Sequence, residues 1–285
     1  MRARSRLPVL IAALCAMAVP TAWPVTDQPV VRPYHRMPDR DQLTPEQKKA
    51  ETFVAKLFGR ARTAIAQNDY AAAAQAYDDA LRVLEEAYGP DNERITEALH
   101  GIVNTRVSWD NWASQYGFGM RAGLSVAVKA QERIVQIYEG RDDIDPYERV
   151  AALVDLGDCY LYTNDERALD TYRRAWQLKT KLSSPEEADE MFKGVGLVRL
   201  VLPENPADHP EWRVTVTYDV AQDGTVNVLD VSGDAPTPII TDMRSNYQHA
   251  RFRPRIVGGE PVDTRGITYT HKYAGTSPEK QRFGA

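Results

Sequence analysis

Between Thr44 and about Leu182, apolar residues recur at intervals of three and four, broken by short polar turns. That spacing lines one face of a helix and predicts a succession of packed helices. Thr44, Pro45 and Gln47 open the first: a threonine cap, a proline where a missing N–H costs nothing, and a glutamine three residues past the cap. Small and aromatic residues then return at fixed spacing. Ala73, Tyr77 and Ala80 stand at i, i+4 and i+7; Ala168, Tyr172 and Ala175 repeat the pattern, and Gly123, Ala127 and Ala130 give a weaker copy. Each triplet shares a helical face, on which small residues admit a neighbouring helix and the large one fills the gap. The expected architecture is antiparallel helices stacked into a curved solenoid with a concave face. A helix near 185–192, opened by Ser184, would cap it.

After Lys193 the period changes from helical to two-fold. Val214, Val216, Tyr218 and Val220 alternate with Arg213, Thr215, Thr217 and Asp219, the signature of a half-buried strand. Asp223-Gly224 reads as a type I′ hairpin turn. Val226 and Val228 begin the returning strand, and Leu229 and Val231 fall on the opposite parity, which predicts a bulge or a strand covered on both faces. A helix follows from Pro238, with Ile240, Met243 and Tyr247 on one stripe. Arg251 to Arg255 form an extended segment, Gly258-Gly259 turns the chain, and a last strand runs from Val262 to Tyr273. The order is β-hairpin, helix, β.

Two resemblances rest on these residues. Residues 45–182 resemble tetratricopeptide repeats of a longer-period kind, with Tyr88-Gly89-Pro90-Asp91 as a separating segment; the offsets between copies, about 50 and 45 residues, exceed the basic repeat of about 34. Residues 195–275 resemble the C-terminal domain of the TonB family. That likeness is carried by the alternating strand Val214–Val220, the Asp223-Gly224 turn, Arg251-Phe252-Arg253-Pro254, Gly259-Glu260-Pro261-Val262 and the lead-in Pro206-Ala207. Trp212 departs from it, standing where the family usually has a glycine. The expected fold is therefore two-domain, α then α+β: a tetratricopeptide-like solenoid over 44–194 and a TonB-like β-hairpin–helix–β domain over 195–275, with a tail over 276–285. TonB-family domains receive a transporter segment as an added strand, so the resemblance implies β-augmentation on Gly266–Tyr273. Thr268, Thr270 and Lys272 would lie on one face of that strand, with Ile267, Tyr269 and His271 on the other.

The N-terminus adds a localisation. Arg2, Arg4 and Arg6 precede an apolar run from Leu7 to Val19, and Ala16-Met17-Ala18 offers a cleavage site, so residues 1–18 read as a secretory signal. About 13 residues reach roughly 20 Å, short of a hydrocarbon core of about 30 Å. Leu14 before Cys15 departs from the small residue that lipidation expects. Residues 19–43, with Pro20, Pro24, Pro29, Pro33 and Pro38, read as an extended, mostly disordered leader. Losing the signal removes three arginines and no acid, taking the net charge from −5 to −8. So acidic a chain is a poor partner for nucleic acid or an anionic membrane surface. Cys159 would be the lone cysteine of the mature chain and reads as a small buried apolar residue.

Candidate chemistry is sparse. Five histidines occur in no metal-ligand spacing, and His271 reads as an exposed or edge residue. Asp142, Asp143, Asp145 and Glu148 lack the order of a calcium loop; Asp145 before Pro146 reads as a helix cap. Gly117, Gly119 and Gly123 follow no strand, which argues against a phosphate cradle. No nucleophile motif is present, and no cofactor, metal or small-molecule substrate is expected. Trp109, Trp112, Tyr116 and Phe118 fall in an expected interhelical insertion and could line a peptide groove or pack an enlarged turn. Arg251, Arg253 and Arg255 share a face of an extended segment and could bind a carboxylate or phosphate, or stay solvated. The expectation is a non-enzymatic periplasmic adaptor that holds protein or peptide partners in the repeat groove and on the terminal sheet, one of them an outer-membrane transporter segment. The alternative is an energy transducer for outer-membrane transport whose N-terminal segment is kept as an inner-membrane anchor.

Overall fold

A computed structural model describes residues 41–115, 123–203 and 211–273. The readings of residues 1–18, of 19–43 up to residue 40, of the tail over 276–285, of Pro206-Ala207 and of Tyr116 and Phe118 lie outside them. The layout is helical first, then α+β. Helices α1 (Pro45–Ala66), α2 (Tyr70–Tyr88), α3 (Thr96–Gln115), α4 (Leu124–Glu139), α5 (Pro146–Tyr162) and α6 (Arg167–Lys179) each pack on the next. The capping box at Thr44 forms as expected, its side chain accepting from the Gln47 N–H while Gln47 accepts from Thr44. Asp145 caps α5 by accepting from the Tyr147 N–H. Among the described residues no helix is long and apolar enough to cross a membrane.

The recurring triplets are the packing surface of this array. Ala73, Tyr77, Ala80, Ala168, Tyr172, Ala175, Ala127 and Ala130 are all buried, and Cys159 is buried beside them. Each tyrosine needs a glycine opposite. A Cβ on Gly101 of α3 would stand 2.2 Å from the Tyr77 ring, and one on Gly157 of α5 would stand 2.4 Å from the Tyr172 ring. The expected helix over 185–192 is a 3-10 turn, Pro185–Ala188, followed by a short α7 (Glu190–Lys193), and Ser184 supplies no cap. Trp109 and Trp112 are corrected as well. They do not lie in an insertion but inside α3, because its helical pattern runs on to Gln115.

The α+β part begins with β1 (Gly196–Arg199). A three-stranded antiparallel sheet follows, with β2 (Trp212–Val220) between β3 (Val226–Gly233) and β7 (Thr264–Tyr273), and α8 (Thr237–Gln248) covers one face. Val214, Val216, Tyr218 and Val220 point into a core with Met243, Tyr247 and Phe252. The parity change in β3 is a bulge: pairing shifts between Thr217 and Tyr218, leaving Leu229 outside the register and half exposed. The type I′ turn is not formed. Of its residues only Gly224 has positive φ (+79°), and its N–H donates to the Ala221 carbonyl in a longer loop. The loop is longer because Gly224 is drawn toward Phe252, whose N–H donates to the Gly224 carbonyl at 3.1 Å. The β-hairpin–helix–β outline also lacks four short strands. β1 pairs with β4 (Arg251–Arg253), and β5 (Arg255–Val257) pairs with β6 (Glu260–Val262) across Gly258-Gly259, both at positive φ.

Candidate functional site

Three places carry the residues singled out in the sequence: the outer edge of β7, the arginine segment of β4 and β5, and the end of α3.

The edge of β7 follows from alternation in β2. The Arg213 N–H donates to the Asp234 carboxylate and its carbonyl accepts from the Asp234 N–H, so the backbone of Arg213 faces β3. At the other end of the strand the Ala221 N–H donates to the Thr225 carbonyl, also on the β3 side. Successive residues of an antiparallel strand present their backbone groups to opposite neighbours. Val214, Val216 and Tyr218 therefore bond to β7, through His271, Tyr269 and Ile267 in the observed register. The backbone groups of Thr268, Thr270 and Lys272 are left pointing outward. On that side β7 pairs with no strand among the described residues. Side chains alternate in step. Thr268 and Thr270 are exposed and meet Thr217 and Thr215 hydroxyl to hydroxyl at 3.3 and 2.9 Å, while Ile267 and Tyr269 are half-buried on the α8 side.

His271 lies on the edge strand, as one of its two readings had it, but it is not exposed. It is 7% exposed, and its Nε2 lies 2.7 Å from the Tyr247 hydroxyl, edge-on to the rings of Tyr247 and Tyr269. Alternation places it on the core face, and burial lowers its pKa to about 4.

The arginine segment does not present one open face. Arg253 donates to both carboxylate oxygens of Asp158 on α5 (2.8 and 2.5 Å) and to the Met191 carbonyl at 3.0 Å, its side chain 14% exposed. Asp158 also accepts from the Tyr172 hydroxyl at 2.7 Å. Arg251 donates to Asn164 Oδ1 (2.8 Å) in the α5–α6 turn, where Asn164 holds a left-handed φ of 57°. Arg255 alone is exposed. Pro254 separates β4 from β5, so the short strands turn against the helices and the first two arginines become internal ties. Around them Ile256 sits in the helical core, Gly259 abuts the Trp176 ring, Gly224 abuts Leu161 and Arg173 pairs with Glu260. The two parts meet in a polar and apolar seam.

At the end of α3, Trp112 stacks obliquely on Tyr70 with ring centroids 6.1 Å apart, and the Arg106 guanidinium stands 5.9 Å from the Trp109 ring. Both tryptophans are half-buried, and Tyr116 lies outside the described residues. Nearby, Leu124, Val128 and Lys129 of α4, the α5–α6 turn and Arg199 of β1 enclose an open cleft of about 550 Å³. The sequence reading missed Asp158, Asn164 and Arg199. Asp158 had a signal, since it and Asp155 are the two acids in the mostly apolar run from Val150 to Tyr162, and an acid drawn out of water requires a partner. Arg199 had none.

Among the described residues no group of three or more His, Cys, Asp or Glu side chains could hold a metal ion. A scan against protein-family models finds no match to this chain, and a search of curated proteins finds none either.

Proposed function

We propose that the chain is an exported, non-enzymatic adaptor of the periplasm: tetratricopeptide-like repeats joined to a TonB-like domain that captures a partner segment by strand addition. The partner is a protein or peptide in extended form, of the kind an outer-membrane transporter offers. One observation carries the reading. β7 is ten residues long and leaves the outward backbone groups of Thr268, Thr270 and Lys272 without a pairing strand among the described residues. Such an edge is a template for an incoming strand. The opposite edge, on β3, is a poorer one, because the bulge at Leu229 breaks its register and α8 packs against it. Gly266, at φ +67° and donating to Asp219, marks where the regular part of β7 begins.

The test is Thr270→Pro. Proline removes an N–H that points outward, so the β2–β7 ladder survives, as edge strands tolerate. Proline at Tyr269 would instead break a bond to β2 and confuse capture with folding. N-terminal segments of outer-membrane transporters, synthesised as peptides, are titrated against the full chain. Binding should slow amide exchange at Thr268, Thr270 and Lys272, and Thr270→Pro should weaken it at least ten-fold. Binding that leaves those amides unprotected would refute strand addition.

A further inference from the structure

We propose that the 550 Å³ cleft between α4, the α5–α6 turn and β1 is a second binding site, for an acidic peptide segment. An Asp or Glu side chain of the partner meets Arg199 and Lys129, and an apolar neighbour lies on Leu124 and Val128.

Arg199 is the anchor of the cleft. The residue is half-buried, and its guanidinium stands 5.4 Å from the ring of Tyr162, with no ion pair among the described residues. Five N–H donors in a fixed fork are left without a carboxylate. Several arginines removed from solvent are paired, Arg94 with Glu51 and Glu97, Arg106 with Asp78, Arg133 with Glu85 and Arg253 with Asp158, whereas Arg149 and Arg251 bond to carbonyl oxygens instead. What sets Arg199 apart is its place: it opens onto a cleft, beside a second cation. Lys129 stands exposed on the same cleft, also without an ion pair among the described residues.

The cleft's own carboxylates do not neutralise these two. Glu132 and Asp165 are both held by Arg167, at 2.8 and 2.7 Å, and Arg167 rests on the Tyr160 ring. Three cations thus face two acids that are already engaged. The floor is fixed beforehand. Tyr162 is buried, its hydroxyl between Asp110 (2.9 Å) and Asn111 (2.6 Å). β1 is tied to β4 at Arg199↔Arg251, and Arg251 is tied to Asn164 on the opposite wall. A charged pair made over an apolar, prearranged floor is stronger than one in open water.

The cleft favours a chain segment over an enclosed small molecule because its rim (Ser125, Lys129, Asn164 and Arg167) is exposed, so an extended peptide can enter and leave. Its volume falls within the roughly 300–1,000 Å³ of ligand clefts. Strand capture at β7 is not required for it.

The probe is an array of acetylated, amidated pentapeptides with Glu fixed at the centre, beside a matched array with Gln there, the flanks varied over all residue types. The labelled full chain is applied, and the strongest binders are titrated by fluorescence anisotropy. Glu-centred peptides should dominate; Arg199→Ala and Lys129→Glu should each weaken them at least ten-fold, and Thr270→Pro should leave them unchanged. Should Arg199→Ala fail to fold, Lys129→Glu decides alone, since Lys129 is exposed. Equal retention on both arrays, or Glu-centred binders unaffected by Lys129→Glu, would overturn the proposal. So would tighter binding of neutral peptides with a free carboxyl terminus, which would move the site to a chain end.

Discussion

Replacing Arg253 with leucine tests whether the two parts of this protein fold as one. In the native state Arg253 closes a fork on Asp158, and Asp158 also holds the Tyr172 hydroxyl. Leucine would leave Asp158 charged beside a buried tyrosine. Removing one partner of a fully buried pair costs about 3–5 kcal/mol. Here the Asp158 side chain is 25% exposed and keeps one hydrogen bond, so water relieves part of that penalty and about 2–3 kcal/mol is expected. For a chain of this size that lowers the melting midpoint by roughly 5–10 °C. The loss should be asymmetric: with the tie gone, the sheet core around Val216 and Tyr247 should melt before the helical core around Leu153 and Ile134. Calorimetry would then resolve two transitions where the parent shows one. A cycle with Asp158→Asn supplies the control, since removing both charges leaves no orphan and the double variant should lose less than the sum of the singles. Additivity within about 0.5 kcal/mol, or an unchanged midpoint, would refute the seam as a determinant of stability.

Three glycines give opposite outcomes in one denaturation series. Gly157→Ala and Gly101→Ala should each lose about 1–2 kcal/mol, since the new methyl meets the Tyr172 or Tyr77 ring; Gly59→Ala, in α1 with nothing within 4 Å, should gain up to about 1 kcal/mol. His271 should make stability pH-dependent. Above about pH 6.5 it is neutral in both states; between there and about pH 4 the unfolded chain takes a proton that the buried ring refuses, so stability falls with falling pH, by up to about 3 kcal/mol. His271→Phe should flatten that part of a urea-midpoint profile, and an unchanged slope would place the titration elsewhere.

Much of the local structure was legible in the residues. The Thr44 box and the Asp145 cap involve neighbours three residues apart or fewer, so the sequence contains both partners. The Ala-Tyr-Ala triplets announced buried helix faces because small residues at helical spacing have few other uses. The change of parity at Leu229 admitted a bulge, and the alternation of β7 separated Thr268 and Thr270 from Ile267 and Tyr269 without saying which face was the inner one. His271 was misjudged despite that alternation: parity names a face, and only the position of α8 and Tyr247 makes the face a core. The type I′ reading failed for a similar reason, since Phe252, far along the chain, draws Gly224 into a different loop.

Periodicity, caps and turns act over a few residues, so the sequence alone placed the long helices and the strands β2, β3 and β7, and the spacing of their apolar positions. Pairings between residues nearly a hundred positions apart belong to the tertiary structure. It turned Arg251 and Arg253 inward onto Asn164 and Asp158 and, among the described residues, left Arg199 without an acid and one edge of β7 without a pairing strand. The physical reason is that a charge's partner is set by which backbones meet, and no local pattern encodes that meeting.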